Sequence, residues 1–224
     1  MADEFLSEHE QGEQLKAWVR DNWAWVLSGV VVGLGIIGGW QFYQRYKLQQ
    51  ATAASSLLDE YAVAAVTDKA KAAGLFNRIA QDYGATPYAT QAQLLQAQYS
   101  VENNDFAAAE STLRTVVDNS KDAQLAQVAK LRLARVLIEE NKTDDALKLL
   151  DVDSAGAFGG LTHEVRGDAL YAKQDLSGAR SEYQLALDAF KAESSSDTSL
   201  LQLKLQDLGG DSASNAAQAV EAQQ

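Results

Sequence analysis

The chain is 224 residues long with a formal net charge of −12, 2 histidines, 1 proline and no cysteine. Without cysteine there are no disulfides, thiolate metal sites or cysteine nucleophiles, and the compartment stays open, since such a chain is stable in reducing and oxidising surroundings alike. The acidic balance argues against nucleic acid and anionic lipid headgroups as partners of the soluble part, because like charge repels phosphate.

Residues 1–22 are an acidic lead-in, in which Asp3, Glu4, Glu8, Glu10 and Glu13 stand against Lys16 and Arg20. Trp23 to Tyr43 follow without a single charge, and 21 residues at about 1.5 Å each make a helix able to cross a bilayer core. Trp23 and Trp25 mark one end, and Trp40, Phe42, Tyr43 and Tyr46 the other, as expected of amphipathic rings at both interfaces. A cleaved signal peptide is the competing reading. The run is longer than a usual signal core, its approach is acidic, and no small-x-small site closes it, so an uncleaved anchor at 23–43 is expected.

Gly33-Leu34-Gly35-Ile36-Ile37-Gly38 is a literal G-x-G-x-x-G, with Asp59 some twenty residues on, as in a dinucleotide-binding fingerprint. Its context fails, because the residues after Gly38 stay apolar and aromatic and no alternation of strands and helices follows. Packing accounts for the glycines better. Gly29 with Gly33, and Gly35 with Gly39, are each four apart and leave shallow grooves where another membrane helix can approach. Orientation is a tie by charge, with Lys16 and Arg20 before the span and Arg45 and Lys47 after it.

Residues 44–208 read as one all-α domain, rich in Ala, Leu, Gln, Lys and acids at helical spacing, with no strand signal. From Leu48 to Gln224, 25 acids face 15 bases. Expected helices are 46–66, 69–83, 87–102, 105–119, 122–141, 144–151, 161–173, 176–192 and 198–207, with Thr86 as an N-cap before Pro87. Ala97, Asp105, Phe106, Ala109 and Leu113 align with Ala134, Lys142, Thr143, Ala146 and Leu150, and again with Gly167, Asp175, Leu176, Ala179 and Tyr183. The offsets of 37 and 33 residues approach the 34-residue tetratricopeptide period. In that pattern Ala97, Ala109, Ala134, Ala146, Gly167 and Ala179 are the small residues where paired helices touch. The first pair, 46–83, fits loosely through Ala72 and Phe76; generic Ala-rich hairpins with chance spacing are the alternative.

The order of segments along residues 14–208 resembles the YfgM-like family, ancillary subunits of the SecYEG translocon with one membrane span and a tetratricopeptide-like domain. The likeness starts in Gln14-Leu15-Lys16-Ala17-Trp18-Val19-Arg20-Asp21-Asn22 and runs through the Gly-rich anchor. It is strongest in Leu131–Leu137 with Asp145–Asp151, in Arg166-Gly167-Asp168 with Gly178-Ala179-Arg180, and in Leu201–Leu208. The resemblance implies a bacterial inner-membrane protein with a cytoplasmic N-terminus and a periplasmic repeat domain. It also implies association with SecYEG, cooperation with a PpiD-type periplasmic chaperone, and a further link to an envelope stress response. The tail 209–224 lies outside it and reads as a disordered extension.

No enzyme, cofactor, metal or small-molecule substrate is expected. His163-Glu164 with Asp168 suggests a metal pair, but a helix start explains a solvated His and a capping acid. Asp144-Asp145 suits the first turn of a helix, and Asp151-Val152-Asp153 lacks the glycine and glutamate that a calcium loop needs. The main hypothesis is thus a translocon adaptor whose repeat surface docks protein partners. A generic envelope scaffold of the same build and a membrane-anchored enzyme of unrecognised type are the alternatives, and the docking face is not legible.

Overall fold

The computed structural model describes residues 8–153, 155–193 and 198–209, so the tail from residue 210 lies outside the described residues. Among these, every regular element is helical. The chain divides into two compact units, 1–53 and 54–224.

The first unit contains α1 (Glu8–Asp21) and the first part of α2 (Trp23–Thr67). The sequence suggested separate helices at 23–43 and 46–66, whereas α2 runs through 45 residues. Arg45 and Lys47 interrupt the hydropathy but not the backbone, and no Gly or Pro occurs between Gly39 and Gly74 to break it. Among the described residues, α2 is the one helix long and apolar enough to cross a membrane, and its apolar window has no buried residue.

The second unit begins inside α2, whose residues Ala54, Leu57, Tyr61 and Ala64 are buried at helical spacing. It continues through α3 (Lys69–Asp82), α4 (Pro87–Glu102), α5 (Phe106–Asn119), α6 (Ala123–Glu139), α7 (Thr143–Leu149), a single 3-10 turn at Gly156–Phe158, α8 (Gly159–Ala172), α9 (Leu176–Glu193) and α10 (Ser199–Asp207). Acidic caps start several of these helices. Asp68 accepts from Lys71 N–H, Asp105 from Ala108 N–H, Asp122 from Gln124 and Leu125 N–H, and Asp175 from Gly178 N–H. Thr86 does not cap α4 with its side chain; its Oγ1 turns back and donates to Tyr83 O at 2.7 Å, and Pro87 removes one donor that would need a cap.

Three turns repeat one geometry. Asn104, Asn141 and Gln174 adopt left-handed φ values of 60°, 61° and 65° after α4, α6 and α8. The next N–H then reaches back five residues, from Asp105 to Ser100 O, Lys142 to Leu137 O and Asp175 to Leu170 O, at 2.8, 2.7 and 3.0 Å. This arrangement satisfies helix-end carbonyls and reverses the chain into a partner helix. It also explains why α6 ends at Glu139, two residues short of the expected 141.

Sequential packing follows: α4 against α5, α5 against α6, α6 against α7 and α8, α8 against α9, and α9 against α10. Apolar burial falls into three clusters. The first centres on Leu57, Tyr61 and Ile79, the second on Leu113, Leu133, Leu137 and Val165, and the third on Tyr183, Leu187 and Leu201. Tyr61 anchors the first cluster with its ring on Phe76 and Tyr99 and its hydroxyl donating to Gln96 at 2.6 Å. Burial, helped by Tyr99, pushes that hydroxyl up to about 12, so it remains a donor at any physiological pH.

Candidate functional site

A cavity with an apolar floor lies among α4, α5 and α6 and holds about 400 Å³, within the range of ligand-sized clefts. Ala97, Leu113 and Val136 make its floor, and Val101 with Phe106, at the turn into α5, forms a half-buried wall. The turn through Asn104 sets Phe106 there, because the chain must reverse at once for α5 to lie against α4.

The rim is polar, with two cations, one anion and one amide. Arg132 and Arg135 come from one face of α6, with Glu139 one turn further and Gln98 opposite on α4. Arg132 is held in place by donating from Nη1 to Leu94 O at 3.2 Å, while Arg135 is exposed. An apolar slot edged by guanidinium groups can take an aliphatic or aromatic side chain of a peptide and pair with a carboxylate beside it. Three smaller hollows of about 210, 310 and 280 Å³ lie around Ile79, Pro87 and Tyr99.

Ion-pair networks flank the groove. Glu110 on α5 accepts from Lys142 at 2.7 Å and from Arg114 at 2.7 Å, and Lys142 also reaches Glu140 at 3.1 Å. The Lys142 hydrogen bond, followed by that of Arg114, holds the Glu110 carboxyl down at about 2, while Glu110 in turn raises the Lys142 ammonium. Farther along, Glu182 receives His163 Nδ1–H at 2.7 Å and Arg166 Nε–H at 2.9 Å, and Arg166 also donates to Leu150 O. Lys204 on α10 bonds Asp168 at 2.7 Å and Glu164 at 3.0 Å, with Tyr183 OH donating to Asp168. Burial pulls the Lys204 ammonium down, but the two carboxylates outweigh it and the net direction is up.

These contacts separate the residues that suggested a metal pair. His163 faces Glu182, whereas Glu164 and Asp168 face Lys204. No group of three or more metal-ligating side chains occurs among the described residues. Ala97, Ala109, Ala134 and Ala146 all lie in the central cluster at 1% exposure or less, and Ala179 lies fully buried in the third. Gly167 is buried against the Tyr183 ring, and Ala72 and Phe76 pack in the first cluster. Gly29, Gly33, Gly35 and Gly39 differ: a methyl group built on any of them meets nothing within 4 Å beyond its own helix backbone, so no contact among the described residues requires them to be glycine.

Sequence reasoning missed the groove and the clamp at Lys204. Arg132 and Arg135 stand in the segment that carried the family resemblance, yet nothing in their spacing separates a rim arginine from a solvated one. Lys204 meets partners 36 and 40 residues away, a pairing with no local signal.

A family model described as a tetratricopeptide repeat-like domain matches residues 16–210. Among curated relatives, a protein of Escherichia coli (strain K12) is 30% identical over 205 residues, covering 91% of this chain and 98% of its own length. One from Aggregatibacter actinomycetemcomitans is 29% identical and one from Neisseria gonorrhoeae 28%, with the same coverage. All three are named ancillary SecYEG translocon subunit. No solved structure matches the chain.

Proposed function

As the chain belongs to the tetratricopeptide repeat-like family, we propose that it is a bacterial inner-membrane adaptor held beside the SecYEG translocon, where it helps pass exported chains to periplasmic chaperones. The observation that carries this reading is the nearly end-to-end similarity to relatives whose shared name is that of an ancillary translocon subunit. Residues 23–43 are its membrane anchor, 1–22 face the cytoplasm, 44–208 form the periplasmic domain, and 209–224 are an extension. The pairs Gly29/Gly33 and Gly35/Gly39 give the anchor two close-approach faces for translocon helices.

The repeat domain docks a PpiD-type chaperone. Its role needs only protein binding and no catalysis, and the groove edged by Arg132 and Arg135 is the surface best suited to an extended partner segment. Modulation of an envelope stress response belongs to the cytoplasmic segment.

Three versions of the protein test the division of labour: the full chain, residues 1–47 joined to an unrelated soluble domain, and residues 48–208 exported without an anchor. Affinity purification from solubilised membranes should recover translocon and chaperone with the first and translocon alone, in reduced amount, with the second. The third should reach the chaperone weakly, because it has lost the effective concentration of membrane confinement. Full retention of the chaperone by the unrelated-domain fusion removes the repeat domain as docking surface. Periplasmic labelling of Ser214→Cys in intact cells tests the orientation, and labelling only after the inner membrane is permeabilised reverses it.

A further inference from the structure

The last two turns of α1 carry an apolar stripe that no other described residue covers. Leu15, Trp18 and Val19 are three and four residues apart, and their exposures are 64%, 57% and 40%. At about 100° per residue they share one arc of the helix, and between Gly12 and Asn22 that arc holds no charge. Glu13, Lys16, Arg20 and Asp21 occupy the rest of the circumference.

The helix also has an ending of its own. Asp21 is its last residue, and the Trp18 carbonyl accepts from both Asn22 N–H and Asn22 Nδ2–H, each at 2.9 Å, which pins the turn residue to the helix end. One residue later the apolar run of α2 starts at Trp23. At about 1.5 Å per residue, Val19 and Trp18 lie only about 6–8 Å along the chain from Trp23, and Leu15 about 12 Å. The first two distances match a bilayer's polar layer, about 5–8 Å on each side of the hydrocarbon core, and Leu15 stays in that layer when α1 lies along the surface. The surface next to this stripe is therefore lipid by continuity of the chain, whereas any protein would have to be recruited.

Resting on the reading of 23–43 as a membrane span, we infer that α1 is an interfacial helix. Its last two turns insert Leu15, Trp18 and Val19 between lipid headgroups on the side where the chain begins, and Lys16 and Arg20 extend their stems toward the phosphates. With more acids than bases in residues 1–22, insertion depends on apolar burial rather than attraction to anionic lipid.

The natural absence of cysteine makes the test direct. Single cysteines at Glu13, Leu15, Lys16, Trp18, Val19 and Arg20 of the full-length protein, reconstituted into vesicles of phosphatidylcholine with phosphatidylglycerol, are labelled with a nitroxide. Collision with oxygen and with a water-soluble nickel chelate is then measured, with Val31→Cys and Ile36→Cys as sites within the span. Positions 15, 18 and 19 should be several-fold more accessible to oxygen than to nickel, with the opposite at 13, 16 and 20. Equal nickel access at all six, with 31 and 36 shielded, overturns the inference alone. Nickel access at 31 and 36 overturns the span and the inference with it. Shielding of 15, 18 and 19 that appears only when SecYEG is reconstituted alongside means that the stripe faces protein, and this also overturns it.

Discussion

Gly167→Ala adds one methyl group where, among the described glycines, a Cβ would approach another side chain most closely. The new Cβ would lie 2.5 Å from Cδ1 and 3.1 Å from Cζ of Tyr183, distances at which something must move. The ring cannot swing away cheaply, because Tyr183 is buried and its hydroxyl donates to Asp168 at 2.7 Å, an acceptor that Lys204 also holds. Overpacking of this kind costs about 1–3 kcal/mol. If the ring rotates to escape, it gives up a hydrogen bond to a charged group worth about 1.5–3 kcal/mol. Alanine recovers about 1 kcal/mol of helix propensity, so the net loss is about 1–2 kcal/mol. For a domain of this size that lowers the midpoint of thermal unfolding by about 2–8 °C. Far-UV circular dichroism of the full-length protein in detergent reads it, with Gly29→Ala, which meets nothing, as the comparison. Adding Tyr183→Leu should recover part of the steric loss and give a coupling energy between the sites. A Gly167→Ala protein that melts with the parent, or an additive double variant, refutes the reasoning.

Ala179→Arg should be harsher, by several kcal/mol, since it forces an unpaired charge into a fully buried position; a parental melting curve would contradict the burial. Lys204→Met should leave Glu164 and Asp168 facing each other and cost about 2 kcal/mol, read as faster amide exchange over 199–207 than over α6. Glu110 has a folded-state pKa of about 2 against an ordinary 4.5, so its contribution is present above about pH 4.5 and lost as pH falls toward 2. Glu110→Gln should therefore cost about 1 kcal/mol at pH 7 and show a flatter stability profile across that acid window, measured by urea unfolding at stepped pH. Gln174→Gly should raise stability by about 0.5–1 kcal/mol, because glycine adopts a φ of 65° freely and glutamine does not; Asn104→Gly should gain less, since asparagine tolerates this region.

Much of the helical layout was legible because it rests on local chemistry. Spacings of three and four, acids ahead of helices and a charge-free run from Trp23 to Tyr43 all act within a few residues of themselves. The repeat offsets of 37 and 33 were visible in the small residues, and the structure marks the same offsets independently at Asn104, Asn141 and Gln174. These left-handed turns were not foreseen, because two of the three have acids or bases around an unremarkable polar residue and none uses glycine. The continuity of α2 was missed for a related reason: Arg45 and Lys47 change the solvent a helix prefers, not its ability to propagate. The groove escaped because it is made of a rim, a floor and a wall from three helices, and exposure at Arg135 is a property of packing rather than of sequence spacing.

The division of the buried apolar side chains into three successive clusters has a mechanical meaning. Each cluster is formed mainly by neighbours in the chain, so opening one does not require the others to dissolve. Release of α10 from Asp168 and Glu164 would loosen the third cluster around Tyr183 and Leu201, while Leu113 and Leu137 keep their surroundings. Ala97, Leu113 and Val136, the floor of the groove, belong to the middle cluster, which lies between the other two along the chain. The surface suited to grip a partner is thereby insulated from fraying at the ends of the stack.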